Sequence, residues 1–368
     1  MKAVVLGAGM MGKALAHDLK KSACETIIAD VDKKRVETAA KDINCQGAVC
    51  DVSQETEVIA VLKDCDVAIS AVPYFFNVNL AHAAIKTGCH FCDLGGNTSI
   101  VMEELSLHEK AAKNNVLIIP DCGFAPGMAN VIVGLSIKET KAHTVNIRVG
   151  GLPQNPQPPL NYTLLFSIHG LINEYKEPAT VIRNGKIKTV NPLSELEEIR
   201  FPPFGVLEAF QTSGGTSTLS YTYSNVLTEL DCKTIRYPGY CAKMKALSEM
   251  GMFSEEPIEV NGCKVTPRAV LSKVMEHTLP HQDKDVALLR IYAHGEKEIV
   301  YEMVDYYNES LHMTAMARTT AFPTSIIAQM MVDTIQERGA FPPEKVVPGH
   351  KFIEELAKRD IIIKKIEK

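Results

Sequence analysis

The segment Gly7-Ala8-Gly9-Met10-Met11-Gly12 constrains this chain more than any other feature. It fits G-x-G-x-x-G, follows an apolar run at residues 2–6, and opens an amphipathic stretch at 11–20. In that setting the first glycine makes a tight turn. The second lets backbone approach a pyrophosphate, and the third lets helix and strand pack closely. The helix start then offers its free N–H groups to the anion. Further apolar runs at 26–29, 47–50, 66–71, 90–92 and 116–119 alternate with amphipathic stretches at 32–41, 53–62, 78–86 and 101–113. Such alternation implies right-handed crossovers and a doubly wound parallel sheet of Rossmann type, covered by helices on both faces.

After about residue 142 the texture changes. Val145, Ile147 and Val149 alternate, residues 151–159 read as a Pro/Gly-rich turn, and Asn184-Gly185 and Asn261-Gly262 each separate two short apolar-alternating runs. Asn-Gly tolerates positive φ at both turn positions, so both read as hairpins. A third hairpin joins 287–292 to 298–304 through His294-Gly295. Hairpins imply an antiparallel sheet, hence an α+β domain inserted into the α/β one. Helical periodicity resumes near Met313 and breaks at Phe322-Pro323. The expected division is 1–142 for the dinucleotide domain, 143–311 for the inserted substrate and dimerisation domain, and 312–368 for a helical return to the first. Edge strands of an antiparallel sheet often pair across a two-fold axis, so a homodimer is the expected assembly.

Composition limits the partners. Hydrophobic residues make up 46% and charged residues 23%, which excludes a wholly disordered chain. Lys+Arg 39 against Asp+Glu 44 gives a net charge of −5, with no global field for nucleic acid or anionic lipid. No apolar run nears the roughly 18 residues that span a bilayer. The opening residues read as a strand and not a leader, so a cytoplasmic location is expected. Ten cysteines in this length do not make a disulfide scaffold, and the one close pair, Cys89 and Cys92, lacks the second half of a zinc site; no metal is expected.

Ligands of doubly wound sheets bind outside the carboxyl ends of the strands. Asp30 ends the second run, where an acid binds ribose hydroxyls and repels a 2′-phosphate, favouring NAD; Lys33, Lys34 and Arg35 follow closely and keep NADP open. Asp51 and Val52 would flank the adenine, although Asp51 equally suits a helix entry. Val72 and Pro73 would flank the middle of the dinucleotide. Asp93 with Gly95, and Asp121, fall toward the nicotinamide end.

These residues, with Asp93-Leu94-Gly95-Gly96, the run Pro-Asp-Cys-Gly-Phe-Ala-Pro-Gly-Met at 120–128, Thr-Ser-Gly-Gly-Thr-Ser-Thr at 212–218 and Ile235-Arg236-Tyr237, resemble the saccharopine dehydrogenase family over nearly the whole length. The likeness is closest to its lysine 6-dehydrogenase branch. It implies NAD-dependent oxidative deamination at the ε-amine of lysine, giving 2-aminoadipate 6-semialdehyde, which closes to a cyclic imine, with release of ammonia. It also places Arg236 in substrate binding, where a guanidinium suits a carboxylate. Proton-handling candidates are Asp93, Asp121, His169 and His312; Asp121 could instead hold the substrate ammonium. Thr212 and Ser213 offer hydroxyls to the substrate. Rival readings are a saccharopine or carboxynorspermidine type of reaction and a non-catalytic nucleotide sensor. A saccharopine site would need extra cations, with Arg148, Arg183, Arg290 and Arg318 as sources.

Overall fold

The structure, a computed structural model, describes residues 1–280 and 284–367. It forms two compact units. One holds residues 1–139, 217–219 and 317–363; the other holds 140–216, 220–316 and the segment from 364 on.

In the first unit, strands β1 (Lys2–Leu6), β2 (Glu25–Asp30), β3 (Gln46–Val49), β4 (Val67–Ser70), β5 (His90–Asp93) and β6 (Leu117–Ile119) alternate with helices α1 (Met10–Lys21), α2 (Lys33–Ile43), α3 (Glu55–Leu62), α4 (Asn77–Thr87), α5 (Thr98–Ser106) and α6 (His108–Lys113). The strands are parallel in the order β6-β5-β4-β1-β2-β3, with a seventh strand, Gly339–Ala340, parallel on β6. This is the doubly wound Rossmann-like sheet of the sequence reading. β1 and β4 are buried almost throughout because helices cover both faces. One core layer joins Val4, Leu6, Ala68 and Phe91 to Leu62, Leu80 and Ile85 of the helices.

The helix expected at 101–113 is two helices, broken at Leu107 (φ −76°, ψ 2°). Leu105 and Leu107 both pack on the core. Two residues apart on a continuous helix they would point to different sides, so the chain turns between them. The break expected at Phe322-Pro323 is absent: Ala315–Asp333 runs through Pro323. The Thr324 hydroxyl donates to the carbonyls of Thr320 and Cys122, holding the helix at the position where proline removes a backbone donor.

The second unit differs from a purely antiparallel sheet. Its nine strands include β7 (Thr144–Pro153), β8 (Ala179–Arg183), β9 (Lys186–Val190), β10 (Glu197–Arg200), β11 (Val206–Gln211) and β12 (Glu229–Arg236), followed by Asp285–His294, Glu298–Tyr306 and Lys364–Glu367. β12 pairs with β7 in parallel; the other pairs are antiparallel, so the sheet is mixed. Residues 151–153, expected in a turn, continue β7. Gly150 lies where a Cβ would come 2.5 Å from the Ile235 carbonyl oxygen, so glycine there serves strand packing. The hairpins at Asn184-Gly185 and His294-Gly295 belong to this sheet; that at Asn261-Gly262 forms a separate pair, Ile258–Val260 with Cys263–Val265. The sheet path ends in two short, charged strands, Glu197–Arg200 and Lys364–Glu367. Such ends discourage edge pairing, so the expected homodimer draws no support from them. The return expected from residue 312 differs in its last part, since Lys364–Glu367 joins Glu298–Tyr306 of the second unit. Among the described residues no helix is long and apolar enough to cross a membrane.

Candidate functional site

All strands of the first sheet are parallel, so the residues at their carboxyl ends share one edge. The glycine-rich turn occupies its centre. Gly7 has φ +109°, and a Cβ there would lie 2.7 Å from the Ala71 carbonyl oxygen. A Cβ on Gly12 would come 1.8 Å from the Gly7 oxygen, so α1 and β1 pack at their closest approach. Gly9 is exposed, and nothing lies within 4 Å of where its Cβ would be. Met10, exposed, and Met11, half-buried, begin α1; no side chain caps its start and no acid stands in its first turn. An open cradle at Gly9 beside an uncapped helix start fits a dinucleotide pyrophosphate.

Asp30, half-buried, accepts from the Ala8 N–H at 2.8 Å and the Asp32 N–H at 3.0 Å, and so leans on the glycine turn. Val72 lies against the position a Gly7 Cβ would take, at 3.2 Å, and Pro73 is exposed beside it. Asp51 accepts from the Ser53 N–H at 2.9 Å, and these bonds hold its carboxyl below the usual range; this is the turn into α3. Val52 borders a pocket of about 460 Å³ in which Val58, Leu80 and Ala83 stand beside Glu55, His82, Lys86 and Lys110.

At the ends of β5 and β6 the carboxyls Asp93 and Asp121 are buried, beneath the half-buried Gly95 and exposed Gly96. Asp93 Oδ1 accepts from the N–H groups of Gly95 (2.6 Å) and Asp121 (3.1 Å), tying the two strand ends together. Gly95 has φ +82°, and a Cβ there would sit 2.0 Å from Asp121 Oδ1, which explains the glycine. Asp121, itself at φ +58°, accepts from the Ser217 hydroxyl on Oδ2. Burial first, and then the charge of Asp93, push its carboxyl up to about 8. Glu104 of α5 is completely buried beside Asp93, and burial followed by the Asp93 charge drives it well above the carboxylate range. Asp93 and Glu104 meet as a carboxyl pair, and Asp121 also accepts from the Gly96 N–H. Three desolvated carboxyls this close cannot all ionise, so they retain protons near neutrality. Glu344 adds its charge and is held by Thr218 at 3.1 Å and Asn130 at 3.4 Å.

Sequence reasoning missed Glu104, Ser217 and Glu344. Ser217 stood inside the Thr-Ser-Gly-Gly-Thr-Ser-Thr run, and Glu104 is the one acid on the buried face of α5; that placement was a readable signal.

In the second unit Arg236 ends β12 and is 4% exposed. It donates to the Ile235 carbonyl (2.9 Å) and the Tyr175 hydroxyl (3.3 Å). Its guanidinium lies over the rings of Tyr162 (4.9 Å) and Tyr240 (5.6 Å), and its Nε has no hydrogen-bond partner among the described residues. Thr212 bonds the Thr234 hydroxyl at 2.7 Å and Ser213 the Asn173 carbonyl at 3.4 Å, so both expected substrate hydroxyls already have protein partners. His169, on the helix Ile168–Lys176, and His312, in a turn at φ +50°, are both exposed. The helix carrying His169 starts at Ile168, and the C-terminal helix starts at Ala315, beyond His312. The four spare arginines are engaged. Arg148 pairs with Glu197 and Asp231, Arg183 with Glu195, Glu229 and Asp231, and Arg290 with Glu302. Arg318 donates to the Arg359 carbonyl.

Residues 3–119 match the family model for the saccharopine dehydrogenase NADP binding domain, and residues 123–362 that for the saccharopine dehydrogenase C-terminal domain. Alpha-aminoadipic semialdehyde synthase of Arabidopsis thaliana is 25% identical over 324 residues, covering 83% of this chain and 29% of that protein. Saccharopine dehydrogenase [NADP(+), L-glutamate-forming] of Saccharomyces cerevisiae is 24% identical over 276 residues, covering 70% and 59%. The chain thus spans less than two thirds of these relatives' lengths. In fold it is similar to the apo saccharopine dehydrogenase (L-Glu forming) from Saccharomyces cerevisiae (TM-score 0.83, 20% identity, 100% of this chain and 99% of that one). It is also similar to the homospermidine synthase from Legionella pneumophila in complex with NAD (TM-score 0.71, 13% identity, 100% and 91%). With both family models matched from residue 3 to residue 362, the chain belongs to the saccharopine dehydrogenase family.

Proposed function

We propose that this protein is a nicotinamide-dependent dehydrogenase that oxidises the ε-amine of L-lysine to an iminium, which water hydrolyses to 2-aminoadipate 6-semialdehyde and ammonia. The observation that carries the reading is Asp121: a buried carboxyl at the strand edge with its affinity for protons raised to about pH 8. When bound, the oxidised dinucleotide takes up the hydrogen and electron pair of the substrate C–H bond. Gly7, Gly9, Gly12 and the start of α1 hold its pyrophosphate, and the pocket beside Val52 has room for its purine. In the first unit, Asp121 takes the proton of the substrate ammonium, since only the neutral amine has the lone pair that drives C–H cleavage. Ser217 orients Asp121, and Asp93 fixes its backbone. In the second unit, Arg236 holds the α-carboxylate. The exposed His169 and His312 have no part in this reading.

The saccharopine-type reaction is the second reading, favoured by the names of the relatives. Saccharopine carries further carboxylates, and Arg148, Arg183 and Arg290 are already neutralised by acids of the same unit, which favours lysine. Following NADH absorbance with lysine, ornithine, diamines and saccharopine separates the two. Lysine labelled with ¹⁵N at the ε-position is expected to release labelled ammonia; release of the α-nitrogen, or turnover of saccharopine alone, would overturn the lysine reading.

For the cofactor we propose NAD. Asp30 places a carboxylate at the end of β2, where a 2′-phosphate would be repelled. Asp30→Ser is expected to narrow the preference for NAD over NADP, as read from kcat/KM with each. A wild-type protein that already uses NADP equally well would remove this role from Asp30.

A further inference from the structure

Arg236, Tyr175 and Tyr240 form a hydrogen-bonded chain that starts on donors and ends on one. The Arg236 guanidinium donates to the Tyr175 hydroxyl at 3.3 Å, and that hydroxyl donates to Tyr240 at 3.1 Å. Tyr240 has then accepted, and among the described residues no acceptor stands within hydrogen-bonding distance of its own O–H. Reversing the two phenols only moves the spare O–H to Tyr175. Arg236 Nε–H is a second spare donor. A guanidinium brings donors and no acceptor, and each phenol brings one donor, so the three side chains cannot satisfy one another. Tyr175 and Tyr240 are 1% exposed and Arg236 4%, and a donor left unmade at such depth is costly. Nor can Tyr240 swing away to find a partner. Glu208 of β11 grips the turn on both sides of it, accepting from the Gly239 N–H at 2.8 Å and the Cys241 N–H at 2.6 Å. The Tyr162 ring lies 5.5 Å and the Phe210 ring 6.3 Å from the Tyr240 ring, centroid to centroid. The helix Ile168–Lys176, which carries Tyr175, is tied through Asn173 Oδ1 to Arg268 at 2.6 Å.

Spare donors beside a positive charge call for a ligand group that only accepts and carries negative charge, and a carboxylate is that group. We propose that Tyr240 is a specificity-determining residue of the substrate site, donating its O–H to one oxygen of the substrate carboxylate while Arg236 holds the other. This rests on the proposed placing of the carboxylate at Arg236 and goes further. Arg236 attracts an anion, whereas the Tyr240 O–H is left bare by any ligand without an acceptor. A site built around a buried donor rejects the analogue that cannot complete it far more strongly than an apolar pocket rejects a smaller group. The class rejected here is the α,ω-diamine, which shares the reacting end of lysine and lacks the carboxylate.

The test compares wild type with Tyr240→Phe, which removes only the hydroxyl. Lysine and 1,5-diaminopentane differ only in the carboxylate; L-norleucine and pentylamine repeat that pair without the ε-amine and so bind without chemistry. In calorimetric titrations with saturating NAD, wild type is expected to bind L-norleucine at least about a hundredfold more tightly than pentylamine. Tyr240→Phe is expected to weaken L-norleucine by about ten- to a hundredfold and to leave pentylamine unchanged. In kinetics, KM for lysine is expected to rise by a similar factor, while kcat/KM for 1,5-diaminopentane holds. An unchanged Tm for Tyr240→Phe shows that the fold is retained, and the wild-type comparison of the two ligands needs no variant. No L-norleucine binding by wild type, equal binding of L-norleucine and pentylamine, or a variant that weakens both ligands alike or neither would overturn the proposal. If L-norleucine binds in a Tyr240-dependent way but no amine is oxidised, the carboxylate site stands and the dehydrogenase reading falls. If lysine is oxidised and Tyr240→Phe leaves its KM unchanged, the reverse holds.

Discussion

Asp121→Asn is expected to lower kcat for lysine by about 10²- to 10⁴-fold, the usual contribution of a general base. Asparagine tolerates the φ of +58° at this position and still accepts from Ser217, so the backbone should hold. In wild type, kcat/KM should climb with pH through about 8 as Asp121 ionises, and the variant should lack that limb. Stability should move the other way. The folded carboxyl binds its proton up to about pH 8, whereas the unfolded one releases it near 3.8. Between those values the folded state holds more protons, so wild-type stability falls as pH rises, by an amount on the order of a few kcal/mol. The variant cannot ionise there. Its Tm should exceed that of wild type at pH 9, and the gap should close toward pH 4. A variant that loses activity and Tm together at pH 9 would make Asp121 a structural residue.

Arg236→Lys is expected to raise KM for lysine by about ten- to a hundredfold, because an ammonium keeps the charge but not the two-pronged geometry. Nucleotide affinity, read by fluorescence titration, should stay near the wild-type value. Arg236→Met sharpens the contrast. It removes a buried guanidinium that has no acidic partner at hydrogen-bonding distance. Tm should therefore hold or rise while lysine turnover collapses. A structural arginine would show the opposite pattern, with a lowered Tm and intact lysine kinetics.

What was legible in the sequence was local. The glycine turn sits between β1 and α1, and the close approach of Gly12 to Gly7 lies within six residues. Asp30, Asp93 and Asp121 could be placed on one edge because parallel strands align their carboxyl ends, whatever their order in the sheet. What was not legible depends on distant segments. Ser217 reaches Asp121 across 96 positions, and no periodicity encodes that meeting. The parallel pairing of β12 with β7 has no turn to announce it. Gly339–Ala340 is two residues long, too short for any pattern, and Lys364–Glu367 has charges where a strand signal needs apolar alternation. His169 and His312 drew attention by side-chain chemistry alone, and chemistry without burial or neighbours does not locate a proton acceptor. Arg148 looked like a spare cation because its acidic partners lie 49 and 83 positions away, whereas Glu302, opposite Arg290 in a hairpin the sequence predicts, was a readable partner.

The first unit is assembled from three stretches of chain, the last being residues 317–363. During synthesis, residues 2–119 leave the ribosome with six of the seven strands, but β6 meets Gly339–Ala340 only some two hundred residues later. Until then the outer side of β6 is an open template for pairing, and Asp121 waits for Ser217. A released fragment ending near residue 140 should therefore bind chaperones through that edge and be cut by protease there, whereas the full chain should not. The order of the gene, more than the stability of the finished sheet, thus sets when this protein is most vulnerable.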